Sequence, residues 1–217
     1  MTADLGRAPA PGAETLLLNL SGGVDSVYAA WRLLTDGHRL ILHHCVLRNR
    51  EGRHDVEARA VRLVASWLRD HRLRAFTLLE SGYDHGNLGR LPYDVEVLGF
   101  LTGVVLRDPS RRKIDTVVVS ANSADASVTA PTTSRIVRRR QLAEAMVGRR
   151  LNWWIPFAHM TKAQMIAELP AELLELCWWC RRPQGTMPCR RCRTCREINA
   201  LPQVRALPSR RPEEAAV

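Results

Sequence analysis

Apolar runs and amphipathic segments alternate along the first two thirds of the 217-residue chain. Continuous apolar runs are typical of strands buried on both faces, whereas apolar residues every three or four positions indicate helices. This alternation predicts an α/β fold with a doubly wound parallel sheet. The predicted strands cover 15–20, 39–47, 73–80, 115–121 and 151–157, and the predicted helices cover 24–37, 54–71, 95–108 and 140–148.

The alternation stops near residue 157, where a cysteine-rich segment begins, and both ends of the chain are rich in Pro, Ala and charged residues. Such compositions predict frayed termini. We therefore expect a flexible N-terminus over 1–13, a nucleotide-binding domain over 14–157, a helical metal-binding segment over 158–200 and a flexible tail over 201–217.

The residues SGGVDS directly follow the first predicted strand and open the first predicted helix. Two glycines permit a tight turn and close approach of an anion, and helix N-termini attract phosphate. Asp25 would repel a bare phosphate and is acceptable where Mg²⁺ stands between them. The segment lacks the spacing of a Walker A or dinucleotide-binding loop. Two interpretations stay open: an ordinary N-cap turn and a cradle for a magnesium nucleotide.

The chain carries a net charge of +10, almost all from arginine, since Lys113 and Lys162 are its only lysines. A polyanion partner, a nucleotide substrate and the arginine-rich coding of a high-GC genome each account for this charge. Basic clusters at 135–140, 148–150 and 189–196 favour contact with phosphate without specifying nucleic acid. No secretion signal or membrane-length apolar run is visible, so the sequence predicts a cytoplasmic protein.

Five of the six cysteines fall between residues 177 and 195. Four of them follow the spacing C-x8-C-x2-C-x2-C, and four thiolates can close a tetrahedral zinc site. We therefore predict a structural Zn²⁺ site; an iron–sulfur cluster and redox-active thiols are the alternatives. Cys177 has two interpretations, a buried small apolar residue and an exchangeable ligand. The predicted ligands are Cys180, Cys189, Cys192 and Cys195.

The SGGVDS segment resembles the signature loop of the PP-loop ATP pyrophosphatase superfamily, which has an adenine nucleotide alpha hydrolase-like, Rossmann-like fold. Together with the cysteine spacing, it makes the chain similar to the 7-cyano-7-deazaguanine synthase (QueC) family over residues 15–198. Further matches lie at 49–60, 117–125 and 155–166. They contain Arg53, His54, Asn122, Asp125, Thr161 and Lys162.

The resemblance implies that the chain adenylates 7-carboxy-7-deazaguanine with ATP and Mg²⁺, forms an amide with ammonia and converts it to a nitrile with a second ATP. It implies that Asp25 binds Mg²⁺ and that Lys162 pairs with phosphate, although a surface lysine at a helix start is the plainer interpretation. The implied ATP-binding residues are Ser21, Gly22, Gly23, Val24, Asp25 and Ser26, and the implied substrate or phosphate contacts are Arg53, His54, Asn122 and Asp125.

Three segments depart from the synthase pattern: 91–98 lacks a Gly-Arg-Asn, residues 177–180 read CWWC, and 126–140 replaces the stretch after the fourth strand. In the family these segments help to shape the purine pocket. A divergent enzyme that stops at the amide or conjugates a deazaguanine to a protein or nucleic acid is therefore one alternative. A basic zinc-containing nucleic-acid-binding protein with an inactive loop is another, and a homodimer is compatible with each.

Overall fold

The computed structural model describes residues 6–12, 14–49, 51–88, 94–130 and 135–207. Within them a single five-stranded sheet has the strand order β3-β2-β1-β4-β5, with every neighbouring pair parallel. The first strand therefore lies at the centre, and the order reverses beside it. Its strands are β1 (Thr15–Asn19), β2 (Arg39–Arg48), β3 (Phe76–Asp84), β4 (Thr116–Val118) and β5 (Asn152–Trp154).

Helices connect these strands and continue after β5, so that the predicted doubly wound α/β architecture is confirmed. Among the described residues no helix combines the length and the apolar character that crossing a bilayer requires. The helices are α1 (Val24–Thr35), α2 (His54–Asp70), α3 (Asp94–Arg107), α4 (Ala126–Thr129), α5 (Ile136–Val147), α6 (Lys162–Glu168), α7 (Ala171–Leu176), α8 (Arg193–Asn199) and α9 (Pro202–Arg205).

The two faces of the sheet bury different helices, because successive strand side chains point to opposite faces. Leu16 and Leu18 of β1 join a cluster that includes residues of α1, α2, α6 and α7. Leu17 joins the second cluster, to which α3 and α5 contribute. Asn19 follows Leu17 by two positions, so β1 carries this amide on the α3 and α5 face at its carboxyl end.

Helices α3 and α5 approach each other closely through two glycines of α3. A Cβ at Gly99 would lie 2.7 Å from the Arg139 carbonyl oxygen, and one at Gly103 would lie 2.4 Å from the Met146 Cβ. A larger residue at either position would push the helices apart. This contact fixes the position of α5, and therefore of Arg139, over the sheet.

The structure corrects several predicted boundaries. The third strand begins at Phe76 and extends to Asp84, because its polar end still pairs with β2 as far as Arg48. The fourth predicted helix, α5, begins at Ile136 and not at 140, since Ile136, Ala143 and Val147 face the sheet. Strands β4 and β5 are shorter than their apolar runs. Backbone pairing, which apolar patterns do not report, decides these ends.

Candidate functional site

The SGGVDS segment forms the connection between β1 and α1 at the carboxyl end of the central strand. Gly22 has φ +76, and a Cβ there would lie 3.1 Å from that of Ala60 on α2, so the turn requires glycine. The Ser26 hydroxyl donates to the Gly23 carbonyl at 3.0 Å, and the Ser21 amide donates to Ser26 Oγ at 3.1 Å. The loop is therefore tightly ordered by its own serines. The first turn of α1 directs its free N–H groups to this edge.

Residues from three distant parts of the chain meet at the mouth of this loop. Lys162 Nζ lies 2.8 Å from Asp25 Oδ2, and Asn122 Nδ2 donates to Asp25 Oδ1 at 3.1 Å. Asn122 follows β4 and is buried, whereas the side chains of Asp25 and Lys162 are 25% and 35% exposed. A carboxylate, an ammonium and an amide therefore surround the start of α1, where a magnesium nucleotide would need them.

Lys162 is held in place by the start of its own helix. Thr161 forms a capping box with Gln164: Gln164 N–H donates to the Thr161 hydroxyl at 3.2 Å, and Thr161 N–H donates to Gln164 Oε1 at 2.8 Å. Such caps stabilise a helix end by about 1 kcal/mol. The T-K-A-Q segment thus orients the lysine towards Asp25.

Two other predicted contacts are engaged elsewhere. Asp125 caps α4, because its carboxylate accepts hydrogen bonds from the Ser127 N–H at 2.8 Å and from the Ser127 hydroxyl. His54 begins α2, and its Nε2 lies 3.4 Å from the exposed Asp55 carboxylate. Neither side chain joins the cluster around Asp25. Their predicted roles at substrate or phosphate stay predictions.

Arg53 is buried and pairs with three carboxylates, those of Glu51 (2.6 Å), Glu57 and Asp94. Burial alone would lower the pKa of Arg53, but these carboxylates raise it above its ordinary value. Arg181 of the cysteine segment lies 3.8 Å from Glu51 as well. The guanidinium of Arg53, which was predicted to contact substrate or phosphate, is therefore paired with these carboxylates. Its position links the starts of α2 and α3, which the sequence did not reveal.

The four predicted metal ligands converge at the C-terminal segment. The Sγ atoms of Cys180, Cys189, Cys192 and Cys195 all lie within 4.8 Å of one another. Zn–S bonds of about 2.3 Å place tetrahedral sulfurs about 3.8 Å apart, so the cluster suits a single ion. An iron–sulfur cube spreads its cysteines farther apart than one ion does. Cys177 lies in the main core instead, with its thiol 3.5 Å from the Leu173 carbonyl.

Backbone N–H groups lower the pKa of Cys189 and Cys192 and so favour their thiolates, whereas burial raises the pKa of Cys180 and Cys195. The Cys189 amide donates to Cys180 Sγ at 3.1 Å, and the Cys192 amide donates to Cys189 Sγ at 3.3 Å. Burial by itself would raise the pKa of Cys189, but the amides of Arg191 and Cys192 and the neighbouring thiols lower it to about 6. A lowered pKa favours the ionised form that a metal ligand requires.

Trp178 connects this cysteine site to the phosphate loop. Its backbone N–H donates to the Gly22 carbonyl at 2.8 Å, and its indole N–H donates to the Cys180 carbonyl at 2.9 Å. The side chain packs with Val56 and Ala60 of α2 and with Cys180. Sequence reasoning missed this contact. The only signal in the sequence was the pair of tryptophans between Cys177 and Cys180, and such a pair is equally typical of residues that simply pack in the core.

A second polar cluster lies on the α3 and α5 face, below the same sheet edge. Asn19 contacts His43 of β2 and Thr102 of α3, and Arg139 of α5 donates to its side-chain oxygen. The pair His43-His44 inside an apolar strand was the one visible signal. Sequence reasoning did not single out these residues.

No protein-family model matches the chain, and no curated protein matches it. Among solved structures the chain is similar to the U34-tRNA thiolase NcsA from Methanococcus maripaludis, determined with its [4Fe-4S] cluster. The identity is 16%, the TM-score is 0.50, and the match covers 90% of this chain and 66% of that protein, just under two thirds of its length. At this identity the likeness concerns the fold. It agrees with the doubly wound α/β fold that the alternation of strands and helices predicted.

Proposed function

We propose that the protein is an ATP pyrophosphatase that adenylates the carboxylate of 7-carboxy-7-deazaguanine and forms 7-cyano-7-deazaguanine with ammonia. The observation that carries this proposal is the meeting of Asp25, Lys162 and Asn122 at the SGGVDS loop. These residues come from motifs that the synthase family also has. A helix N-terminus, an ammonium and a magnesium-binding carboxylate are the groups that stabilise a departing pyrophosphate.

In this reaction a carboxylate oxygen attacks the α-phosphorus of ATP, and the bond to the β-phosphate oxygen breaks. Pyrophosphate leaves, and the resulting acyl-adenylate reacts with ammonia to give the amide and AMP. The amide oxygen then attacks the α-phosphorus of a second ATP, and pyrophosphate and one amide proton leave. Loss of AMP and of the remaining N–H proton gives the nitrile. The N–H groups of residues 21–26 bind the phosphates, and Lys162 neutralises charge on the departing group.

The resident metal that the cysteine site fits best is Zn²⁺, held by Cys180, Cys189, Cys192 and Cys195. When bound, the ion supplies a rigid cross-link between the two arms of the segment, because four thiolates leave no open coordination position. Trp178 transfers this rigidity to the Gly22 carbonyl. The metal therefore acts by holding the loop, and the chemistry takes place on the ATP side. Elemental analysis tests this assignment: about one zinc per chain is expected, and an iron chromophore contradicts it.

The experiment is pyrophosphate release by the purified protein with ATP, Mg²⁺, ammonia and 7-carboxy-7-deazaguanine. Asp25→Ala should reduce release by about a hundredfold or more, because the Mg²⁺ contact is lost. Asp70→Asn changes an exposed carboxylate at the end of α2 and serves as the matched control. Pyrophosphate release that does not depend on the deazaguanine contradicts the synthase proposal. Mass spectrometry of the product separates nitrile, amide and conjugate.

A nucleic-acid acceptor is the second candidate, and one groove favours it. Arg48, Arg59 and Arg62 line a groove of about 560 Å³ beside the carboxyl ends of β2 and β3. One solved structure with a similar fold is a tRNA thiolase, and the chain has a charge of +10. If the acceptor is RNA, pyrophosphate release requires tRNA and falls steeply with salt. RNA binding without ATP turnover favours instead a binding protein with an inactive loop.

A further inference from the structure

The geometry of the Asn19 cluster is fixed by the donors and acceptors that it contains. Arg139 has only donors, so the Asn19 atom that faces it is the side-chain oxygen, which also accepts from the Thr102 hydroxyl at 3.2 Å. The Asn19 amide nitrogen therefore faces His43 Nδ1 at 3.0 Å, which must accept. The His43 proton then lies on Nε2, which donates to Ser81 Oγ at 2.8 Å.

This network is built around a neutral histidine. Burial, together with the nearby His44, Arg139 and Arg111, lowers the pKa of His43 to about 4. The histidine thus contributes no charge at neutral pH. A row of hydrogen bonds between neutral side chains therefore runs from Ser81 through His43 to Asn19 and ends at the guanidinium of Arg139.

Two buried donors in this cluster have no acceptor among the described residues. One is Arg139 Nε, and the other is the indole Nε1 of Trp153. The Arg139 guanidinium carbon lies 5.4 Å from the centre of the Trp153 ring, and Trp153 is only 5% exposed. Within the described ranges no carboxylate pairs with this arginine, and burial lowers its pKa to about 10. A buried cation without a counter-charge is unfavourable unless an anion completes the site.

The cluster lies at the edge of the sheet where the SGGVDS loop begins. Asn19 is two residues before Ser21, at the carboxyl end of the central strand. Arg139 contacts Asn19 from α5 and therefore lies near the same edge. In open α/β sheets ligands bind at this edge.

We propose that Arg139, with the Trp153 indole N–H beside it, binds the carboxylate of the acceptor substrate. A guanidinium presents paired donors in a plane, which match the two oxygens of a carboxylate. Asn19 accepts a hydrogen bond from Arg139 Nη2, and Nε has no partner among the described residues. This proposal deepens the proposed function by assigning a group to the acceptor side of the site, and it rests on that function for the identity of the substrate.

The test uses benzoate as an aromatic carboxylate probe and benzamide as its neutral counterpart. In ¹H–¹⁵N spectra the Trp153 indole signal, identified by its loss in Trp153→Phe, should shift on addition of benzoate and not of benzamide. Arg139→Met should weaken benzoate binding by about tenfold to a hundredfold, the contribution of charge-assisted hydrogen bonds. Arg140→Met is the matched control, because Arg140 pairs with Glu144 on the same helix.

Equal responses to benzoate and benzamide, or no response to either, overturn the proposal and indicate a site satisfied by water. An unchanged benzoate affinity in Arg139→Met overturns it as well. Arg139→Lys retains the charge but not the fork, and should bind benzoate more weakly than the wild type. Because no ATP is present, these outcomes are independent of pyrophosphate release. If the protein binds benzoate but does not release pyrophosphate with the deazaguanine, the carboxylate site at Arg139 is supported and the proposed substrate is wrong.

Discussion

Two arginines near the carboxyl ends of the strands show two ways of placing a cation inside the fold. Arg53 pairs with three carboxylates from the start of α2, the loop before it and the start of α3. Arg139 has one amide oxygen, one aromatic face and an unpartnered Nε. Arg53 is buried and Arg139 is half-buried with its Nε covered, but only the first site has its counter-charge within the described chain.

The difference separates a structural cluster from a candidate binding site. The carboxylates around Arg53 satisfy it within the fold, and Arg181 connects this cluster to the cysteine segment. The cluster at Arg139 is held by directed hydrogen bonds, but its positive charge has no counter-charge among the described residues. Since folding alone would favour an apolar residue or a paired charge there, the arginine points to a ligand.

The largest expected effect is removal of the proposed Zn²⁺, which should disturb the Arg53 side and spare the Arg139 side. Chelation, or Cys192→Ser, should destabilise the cysteine segment by on the order of 5 kcal/mol, because the binding of a structural zinc ion is coupled to folding. Hydrogen exchange should rise in residues 178–198 and at the start of α2, and ATP affinity should fall through Trp178. Equal exchange increases in α5 would contradict this division.

Arg53→Met should be the most damaging substitution outside the metal site. It leaves three carboxylates without their cation, and breaking such a buried pair reduces the free energy of unfolding by about 3–5 kcal/mol. Urea unfolding measures this change. Arg62→Met removes an exposed pair with Glu80 and should reduce stability by about 1 kcal/mol or less. If Arg53→Met lowers the free energy of unfolding only slightly, the proposed difference between a structural Arg53 and a ligand-binding Arg139 is wrong.

Acid should lower the free energy of unfolding through His43, which contacts Asn19 in the same cluster as Arg139. The folded pKa is about 4, below the unfolded value of about 6.5, so the unfolded chain binds the proton more readily between these values. The contribution of His43 to the free energy of unfolding is therefore fully present above about pH 6.5, and it falls by roughly 3 kcal/mol as the pH drops towards 4. His43→Gln should reduce this slope in urea titrations at several pH values. An unchanged slope would show that other groups cause it.

The smallest effect, and the one of opposite sign, is expected for Arg139→Met without ligand. Removing an unpaired buried charge should raise the free energy of unfolding by about 1 kcal/mol, while Asn19 keeps its bond from Thr102. Urea unfolding of this variant beside Arg53→Met compares the two sites directly. A loss similar to that of Arg53→Met would mean that Arg139 is structural.

Much of the fold could be predicted from local patterns. The apolar runs located every strand of the sheet, and the SGGVDS loop was placed correctly between β1 and α1 because its glycines and serines act locally. The ends of β3 and α5 could not be predicted, since pairing with β2 and packing on the sheet decide them. The roles assigned to Asp25, Lys162 and Asn122 stay predictions, although the structure brings these residues together.

The sequence by itself determined the α/β class, the SGGVDS turn between β1 and α1 and the four convergent cysteines, because each depends on residues close together in the chain. Only the tertiary structure decided that Trp178 contacts Gly22, that Arg53 pairs with Asp94, and that Arg139 has no carboxylate beside it among the described residues. These outcomes depend on which distant side chains share a buried space. Charge in such a space is governed by its neighbours and by desolvation, which the linear order of residues does not specify.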